Sequence, residues 1–143
     1  MSFDWREYSS LADELGGVPS APPPASEEAK LRAAISRFYY SVFCRARNFL
    51  RDVDGDRGIP RGGECHEYVQ RAFFRSNDRT RKAVGTKLDR LRKTRNRVDY
   101  DDVLSFNLSV TFTKTKREAG DCSRKLEFLA RPAEDDSHGP TAP

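Results

Sequence analysis

The fold class is decided by residues 26–52, which read SEEAKLRAAISRFYYSVFCRARNFLRD. Ser26 is a good helix N-cap, and the two glutamates after it lie in the first turn, where the helix dipole favours negative charge. Apolar side chains then recur at helical spacing, which predicts one long amphipathic helix that ends near Asp52. The stripe consists of Leu31, Ile35, Phe38, Val42, Ala46, Phe49 and Val53, widened by Tyr39, Phe43 and Leu50. Such a wide stripe predicts contact with more than one neighbouring helix.

Helical patterns continue on both sides of this stretch. Residues 105–113 (SFNLSVTFT) alternate like a short strand, but no second strand is evident, so an irregular connection is predicted there. Gly120 interrupts the last pattern and is interpreted as a point of close helix packing. The predicted helices cover residues 3–15, 26–52, 64–75, 79–99 and 114–130. The predicted fold class is therefore all-α, an up-and-down bundle of four to five helices.

The chain of 143 residues favours one domain. The bundle is predicted over residues 1–131, with a Pro-rich linker at 18–25, and an acidic tail over 132–143 is predicted to be disordered. No apolar run approaches the roughly 20 residues of a membrane span, and the first residues lack the order of a signal peptide. The three cysteines are odd in number and far apart. A cytoplasmic protein with free thiols and no membrane partner is therefore expected.

Charge is distributed unevenly along the chain. The formal net charge of +4 averages an acidic segment, residues 1–30, and a basic one, residues 79–97, which holds nine basic side chains and one acidic side chain. This asymmetry predicts a polyanionic or acidic partner. Arg79, Arg81 and Lys82 also occupy the first turn of a predicted helix, where the dipole disfavours cations. A role beyond helix stability is therefore expected for them, and a solvated charged face is the alternative.

Arg95 is the most unusual residue of the basic helix. At about 100° per residue, it falls in the middle of the apolar stripe of that helix. Burial of an arginine is costly unless it is paired or opens onto a cleft or an interface. Asn96 and Asp99 are close to it at the helix end. An ion pair between Arg95 and Asp99 and a pocket for phosphate are the two interpretations that remain open.

Two stretches of the sequence resemble the HEPN superfamily, the higher eukaryote and prokaryote nucleotide-binding domains. The first is residues 33–43 (AAISRFYYSVF), and the second is residues 91–101 (LRKTRNRVDYD). Residues 3–8 and 126–129 are also similar to small prokaryotic members, so the resemblance covers roughly residues 3–130. It implies an up-and-down helical bundle that usually dimerises.

Many HEPN proteins are metal-independent endoribonucleases, which act as toxins beside a nucleotidyltransferase antitoxin or in antiviral defence. Their motif is an arginine, a polar residue, and a histidine four to six residues after the arginine. Arg95 and Asn96 match its first two positions, whereas Asp99 and Tyr100 stand where the histidine is expected. The two histidines of the chain are His66 and His138. The resemblance leaves open whether His66 reaches Arg95.

The sequence thus predicts a HEPN-like protein that binds RNA or another polyanion, as a homodimer within a toxin–antitoxin or antiviral defence module. An active endoribonuclease and a noncatalytic subunit of a larger assembly are the alternatives, and no metal or cofactor is expected. The predicted catalytic positions are Arg95, Asn96, Asp99 and Tyr100, and the predicted nucleic-acid contacts are Arg92, Arg97, Lys93, Arg81, Lys82 and Arg37. Tyr40 is predicted at the surface or a dimer contact, and Arg37 or Arg45 is expected near Arg95.

Overall fold

A computed structural model describes residues 2–132, and these residues form five helices without a strand. The helices are α1 (Arg6–Leu15), α2 (Glu27–Asp52), α3 (Glu64–Phe74), α4 (Arg79–Tyr100) and α5 (Leu108–Ala130). The predicted all-α bundle is confirmed. No described helix has both the length and the apolar character needed to cross a membrane. Residues 133–143, which contain most of the predicted tail, lie outside the described residues.

Two helices begin at the N-caps that the sequence predicts. The Ser26 hydroxyl accepts a hydrogen bond from the Ala29 amide at 3.2 Å, and the Asp78 carboxylate accepts one from the Arg81 amide at 2.8 Å. Each cap provides a partner for one of the amides that a helix start leaves without one. The starts of α2 and α4 are therefore fixed by local side chains.

The start of α5 was predicted wrongly. Instead of an irregular connection over residues 105–113, the chain becomes helical at Leu108, because the Asn107 side chain accepts a hydrogen bond from the Val110 amide at 3.0 Å. The ring of Phe112 then packs against Phe38 of α2, with ring centroids 5.9 Å apart. The cap and the packing against α2 outweigh the strand preference of the alternating, β-branched residues.

The long helix α2 is the centre of the bundle and packs against α4 and α5, while α3 packs mainly against α4. This arrangement agrees with the wide apolar stripe, which requires more than one neighbouring helix. Within the stripe, the side chain of Val53 is an exception because it is 53% exposed. The main buried side chains include Tyr39, Val42, Phe43, Phe49, Leu50, Val69, Phe73, Val84, Leu88, Leu91, Cys122 and Leu126.

The close helix approach occurs at Gly85 and not at Gly120. A Cβ atom added to Gly85 would lie 2.5 Å from the backbone nitrogen of Phe74 and 2.8 Å from its Cα. The same atom at Gly120 would meet only the end of the flexible Arg124 side chain, at 3.4 Å. The absence of a side chain at Gly85 therefore lets α4 approach the end of α3.

Arg32 of α2, which the sequence prediction did not single out, is fully buried beside the end of α4. Its Nη1 atom donates hydrogen bonds to the carbonyl oxygens of Val98 and Asp101, at 3.0 and 2.7 Å. The rings of Phe3 and Trp5 cover its guanidinium, with centroids 4.5 and 5.2 Å away. Arg32 thus satisfies carbonyl groups at the end of α4 and holds this end against α2.

The Pro-rich linker is tied to α1 and to the start of α2. The Ser10 hydroxyl lies 2.8 Å from the Ala21 carbonyl oxygen and 2.5 Å from that of Pro23. The Glu7 carboxylate accepts a hydrogen bond from the Ser26 amide at 2.6 Å. These contacts join α1 to the bundle across the linker.

Candidate functional site

Arg95 is buried on the face of α4 that is turned toward α2, with 7% of its surface exposed. Its Nη1 atom donates to Asn96 Oδ1 at 2.8 Å and its Nη2 atom donates to the Tyr40 hydroxyl at 2.9 Å. The guanidinium also lies 5.2 and 5.0 Å from the ring centroids of Tyr39 and Tyr40. The ion pair with Asp99 exists but is long, at 3.7 Å between Nε and Oδ2.

The hydrogen-bonding capacity of Arg95 is only partly used. An arginine carries five N–H donors, and Asn96 and Tyr40 accept two of them. The Nε atom is buried and has no hydrogen-bond partner among the described residues. A buried donor without a partner destabilises the folded state, so the geometry leaves Arg95 able to gain free energy from one more acceptor.

Asp99 is shared between Arg95 and a serine of α2. The Ser36 hydroxyl donates a hydrogen bond to Asp99 Oδ2 at 3.1 Å. Burial raises the pKa of Asp99 above its usual value, while the Ser36 hydrogen bond and the charges of Arg95 and Arg37 act in the opposite direction. The hydrogen bond from Ser36 and the nearby arginines therefore offset only part of the cost of burying the Asp99 carboxylate, which is the acidic partner of Arg95.

His66 of α3 also packs against Tyr39 and Tyr40. Its Nδ1 atom is 2.5 Å from the Tyr39 hydroxyl, and its ring stacks on Phe43 with centroids 4.2 Å apart. The His66 and Tyr40 rings meet edge to face at 6.1 Å. His66 and Arg95 thus contact the same pair of tyrosines. We use the name Arg95 cluster for Arg95, Asp99, Tyr39, Tyr40 and His66.

The cluster keeps its histidine neutral. Burial lowers the pKa of His66 below the usual 6.5, and the positive charges of Arg92 and Arg95 lower it further. Burial also raises the pKa of the Tyr39 hydroxyl well above its usual range, so Tyr39 stays protonated. At neutral pH, His66 is therefore an uncharged imidazole that can accept a proton.

Two tyrosines have surroundings that the sequence did not predict. Tyr40, expected at the surface or a dimer contact, is half-buried and hydrogen-bonded to Arg95, and the dimer contact stays a prediction. Tyr100, predicted as a catalytic position, is 72% exposed and is not part of the cluster. The reason is helical geometry, since a residue five positions after Arg95 lies about 140° around the helix.

The cations in the first turn of α4 make intramolecular contacts. Both Nη atoms of Arg81 donate to the two carboxylate oxygens of Asp54, at 2.6 and 2.8 Å. The Arg81 guanidinium also lies 5.0 Å from the Phe49 ring centroid, and Lys82 Nζ lies 5.3 Å from that of Phe74. The loop after α2 and two aromatic rings therefore account for these two cations without a ligand.

Two further predicted contacts have acidic partners on α4 or directly after it. Lys93 Nζ is 2.8 Å from the Asp89 carboxylate, and Arg97 Nε is 3.2 Å from that of Asp101, both at a spacing of four residues. Arg97 also donates to the Ser105 hydroxyl at 2.7 Å. These pairs reduce the positive charge that α4 presents to a ligand.

Arg92 and Arg37 remain as positive charges beside the cluster. Neither has an acidic partner within hydrogen-bond or ion-pair distance in residues 2–132. Arg37 lies 5.6 Å from the Tyr40 ring centroid. Arg45, the other arginine expected near Arg95, instead pairs with Glu127 of α5 at 3.0 Å. Of the two arginines that could join the cluster, Arg37 is the one that lies beside it.

Sequence reasoning treated Tyr39 as a core residue and did not consider Ser36 for the site. Their spacing could have indicated that they belong to one site. Tyr39 and Tyr40 follow Ser36 by three and four residues, so the three side chains share one helix face. His66 lies on a separate element, and contacts between residues distant in sequence, with Tyr39, Tyr40 and Phe43, bring it to the site. Within residues 2–132, no group of three or more His, Cys, Asp or Glu side chains is arranged to hold a metal ion.

Comparisons with known proteins add one relative. No family model and no solved structure matches the chain. An uncharacterized protein of Methanocaldococcus jannaschii, MJ0992, is 29% identical over 125 residues, which cover 78% of this chain and 66% of that protein. This chain therefore spans just under two thirds of the length of its relative. The name of the relative states no activity, so a functional argument has to start from the site.

Proposed function

We propose that the protein binds single-stranded RNA at the Arg95 cluster. The observation that carries the proposal is a pair of arginines three residues apart on α4: Arg92 is half-buried without an acidic partner in residues 2–132, and Arg95 contacts the rings of Tyr39 and Tyr40. Arg92 would contact a phosphate from the surface, and Arg95 would supply a second cation from below.

The aromatic rings of the cluster favour RNA over an acidic protein as the ligand. Single-stranded nucleic acids are bound where cations track the backbone and aromatic rings or arginine planes stack on bases. Tyr40 and His66 are half-buried, and the Tyr40 ring centroid lies 5.6 Å from the Arg37 guanidinium and 5.0 Å from that of Arg95. The resemblance to HEPN proteins supports the same ligand, and it extends the proposal to a homodimer in a toxin–antitoxin or antiviral defence module.

Fluorescence anisotropy with a labelled single-stranded RNA of mixed sequence tests the proposal. We expect Arg92→Gln to weaken binding about tenfold, since charge-assisted hydrogen bonds contribute about 1.5 kcal/mol or more. Lys116→Gln is the matched control, because Lys116 is exposed on α5 and the variant loses the same charge. Equal affinities of the two variants, or no binding by the wild-type protein, would contradict the proposal.

A second candidate function is metal-independent cleavage of the bound RNA, and the contact of His66 and Arg95 with the same two tyrosines favours it. In the tautomer whose Nδ1–H donates to the Tyr39 oxygen, neutral His66 would accept the proton of a ribose 2′-hydroxyl at Nε2, and the 2′-oxygen would attack the adjacent phosphorus and displace the 5′-oxygen. The displaced oxygen would take a proton from water. Arg95 would stabilise the negative charge that develops on the phosphate oxygens.

RNA cleavage in the presence of EDTA tests this candidate. We expect activity in the wild-type protein, its loss in His66→Gln, and its retention in the control His138→Gln, which changes the other histidine of the chain. Cleavage that is equal in both histidine variants, or absent from the wild-type protein, would exclude His66 as the base. RNA binding measured on the same samples separates loss of chemistry from loss of affinity.

A further inference from the structure

A cleft of about 870 Å³ lies between the end of α2 and the loop that leads to α3. Its volume falls within the range of roughly 300 to 1,000 Å³ that is typical of small-molecule sites. Two of its arginines come from α2 and two from the loop. We use the name arginine cleft for the space lined by Arg47, Arg51, Arg57 and Arg61.

The positive charge of the arginine cleft exceeds the negative charge beside it. Arg51 is bound to Asp52 at 2.7 Å, whereas Arg57 and Arg61 have no acidic partner in residues 2–132. Arg47 donates only to the neutral side-chain oxygen of Asn48, at 3.2 Å. Three of the four arginines are therefore available to an anion.

The second carboxylate of the cleft has a structural role. Asp56 Oδ1 accepts a hydrogen bond from the Gly58 amide at 2.8 Å, and Asp56 Oδ2 accepts one from the Tyr68 hydroxyl at 2.6 Å. The Asp56 amide donates to the Leu50 carbonyl oxygen at 2.9 Å. These bonds join the loop to α2 and α3, so Arg57 extends from an anchored segment.

The cleft and the Arg95 cluster are neighbours along α2. Arg37, Tyr40, Arg47 and Arg51 follow one another at spacings of three, seven and four residues, which keeps them within about 80° of one helix face. Cys65 lines the cleft and directly precedes His66 of the cluster. A ligand that extends along this face would pass from one site to the other.

We propose that the arginine cleft is a second phosphate-binding site, which receives the backbone of the RNA strand that the Arg95 cluster binds. The claim that the phosphate belongs to RNA rests on the proposed function, whereas the claim that the cleft binds phosphate rests on its arginines. Arginine suits a phosphate ligand because the planar guanidinium donates two parallel hydrogen bonds to phosphate oxygens. The site would lengthen the bound segment and increase its affinity without base recognition.

The test combines RNA affinity with the accessibility of Cys65, a half-buried free thiol that lines the cleft. The double variant Arg57→Gln/Arg61→Gln is compared with Lys114→Gln/Lys116→Gln, which removes the same charge from α5. We expect the first to weaken RNA binding about tenfold or more and the second to change it little. RNA and inorganic pyrophosphate should each slow alkylation of Cys65 in the wild-type protein, measured by mass spectrometry.

The outcomes separate the two proposals. If both double variants bind RNA with equal affinity, the proposed phosphate site in the cleft is wrong, but the proposed RNA-binding function is not affected. If the wild-type protein does not bind RNA, the proposed function fails. The effect of pyrophosphate on Cys65 alkylation then shows whether the cleft binds phosphate. Slower Cys65 alkylation that is lost in Arg57→Gln/Arg61→Gln then supports a phosphate site for a different ligand, and unchanged alkylation overturns the site.

Discussion

Two buried arginines on facing helices have different partners, and each leaves one buried nitrogen without a hydrogen bond among the described residues, Nη2 in Arg32 and Nε in Arg95. Arg32 donates to two carbonyl oxygens at the end of α4 and to the Glu28 carboxylate at 3.1 Å, under a cover of aromatic rings. Arg95 has a longer ion pair, two tyrosine contacts and a buried Nε without a partner among the described residues. The partners differ in kind, since Arg32 binds backbone carbonyl groups at the end of α4 and Arg95 binds side chains, so Arg32 has a structural role.

Replacement of Arg32 by methionine should destabilise the fold strongly. Arg32→Met fills part of the volume but leaves the Val98 and Asp101 carbonyl groups without their donor, so we expect a decrease of about 3 kcal/mol in the free energy of unfolding. Urea unfolding followed by circular dichroism measures it. Arg45→Met is the control, because its exposed pair with Glu127 should contribute less than about 1 kcal/mol. Equal decreases in the two variants would refute the structural role of Arg32.

The pKa of His66 should lie below 6.5 in the folded protein and rise in Arg92→Gln, since that variant removes a nearby positive charge. NMR titration of the His66 ring measures both values, and Lys116→Gln should leave the pKa unchanged. An unchanged value in Arg92→Gln would contradict the placement of Arg92 beside the cluster.

The lowered pKa of His66 also affects stability. Because the unfolded chain binds this proton more tightly, the contribution of neutral His66 is complete above about pH 6.5 and is lost as the pH falls toward the folded-state value. The free energy of unfolding should therefore fall more steeply below about pH 6.5 in the wild-type protein than in His66→Gln. Parallel curves for the two proteins would show that His66 has its ordinary pKa.

At the scale of the helices, local signals predicted most boundaries. Ser26 and Asp78 are side-chain caps that can be recognised from sequence, and both α2 and α4 begin where they predict. The start of α5 was missed because alternation suggested a strand and the Asn107 cap lies inside that segment. Its helix depends on packing of Phe112 against α2, which is a contact between residues distant in sequence.

The two helix glycines should respond in opposite directions to alanine. Gly85→Ala places a Cβ 2.5 Å from the Phe74 backbone, so α3 and α4 must separate, which destabilises the fold by about 2 kcal/mol or more. Gly120→Ala has room and should stabilise α5 by up to about 1 kcal/mol. Thermal unfolding of the two variants beside the wild-type protein measures the difference. A stable Gly85→Ala protein would mean that the helices do not approach closely there.

At the scale of the whole molecule, net charge is a poor description of the surface that a ligand meets. Of the nine basic residues between positions 79 and 97, five have an acidic partner among the described residues. Two of these pairs, Arg81 with Asp54 and Lys87 with Asp121, join α4 to other parts of the chain and cannot be recognised from a linear charge count. Sequence patterns therefore predicted the buried position of Arg95 but not which neighbouring cations are neutralised.

The presence or absence of an acidic partner distinguishes Arg92 from Arg97, which the sequence analysis assigned the same role. Arg92 has no acidic partner in residues 2–132, whereas Arg97 contacts Asp101 and Ser105 and lies 5.1 Å from the Phe106 ring centroid. Arg92→Glu and Arg97→Glu change the net charge equally. We expect RNA affinity to fall more in Arg92→Glu, and its dependence on salt to weaken by about 0.7 in the logarithmic slope for each phosphate that the variant no longer binds.

Anisotropy titrations of both charge-reversal variants over a series of salt concentrations test this expectation. Circular dichroism of each variant provides the control for folding, since Arg97→Glu also sets two carboxylates against each other at a spacing of four residues. If RNA responds only to the overall charge, the two variants will have the same affinity and slope. A local site requires the larger effect at Arg92, because a guanidinium that is already bound to a carboxylate has less interaction energy to give to a phosphate.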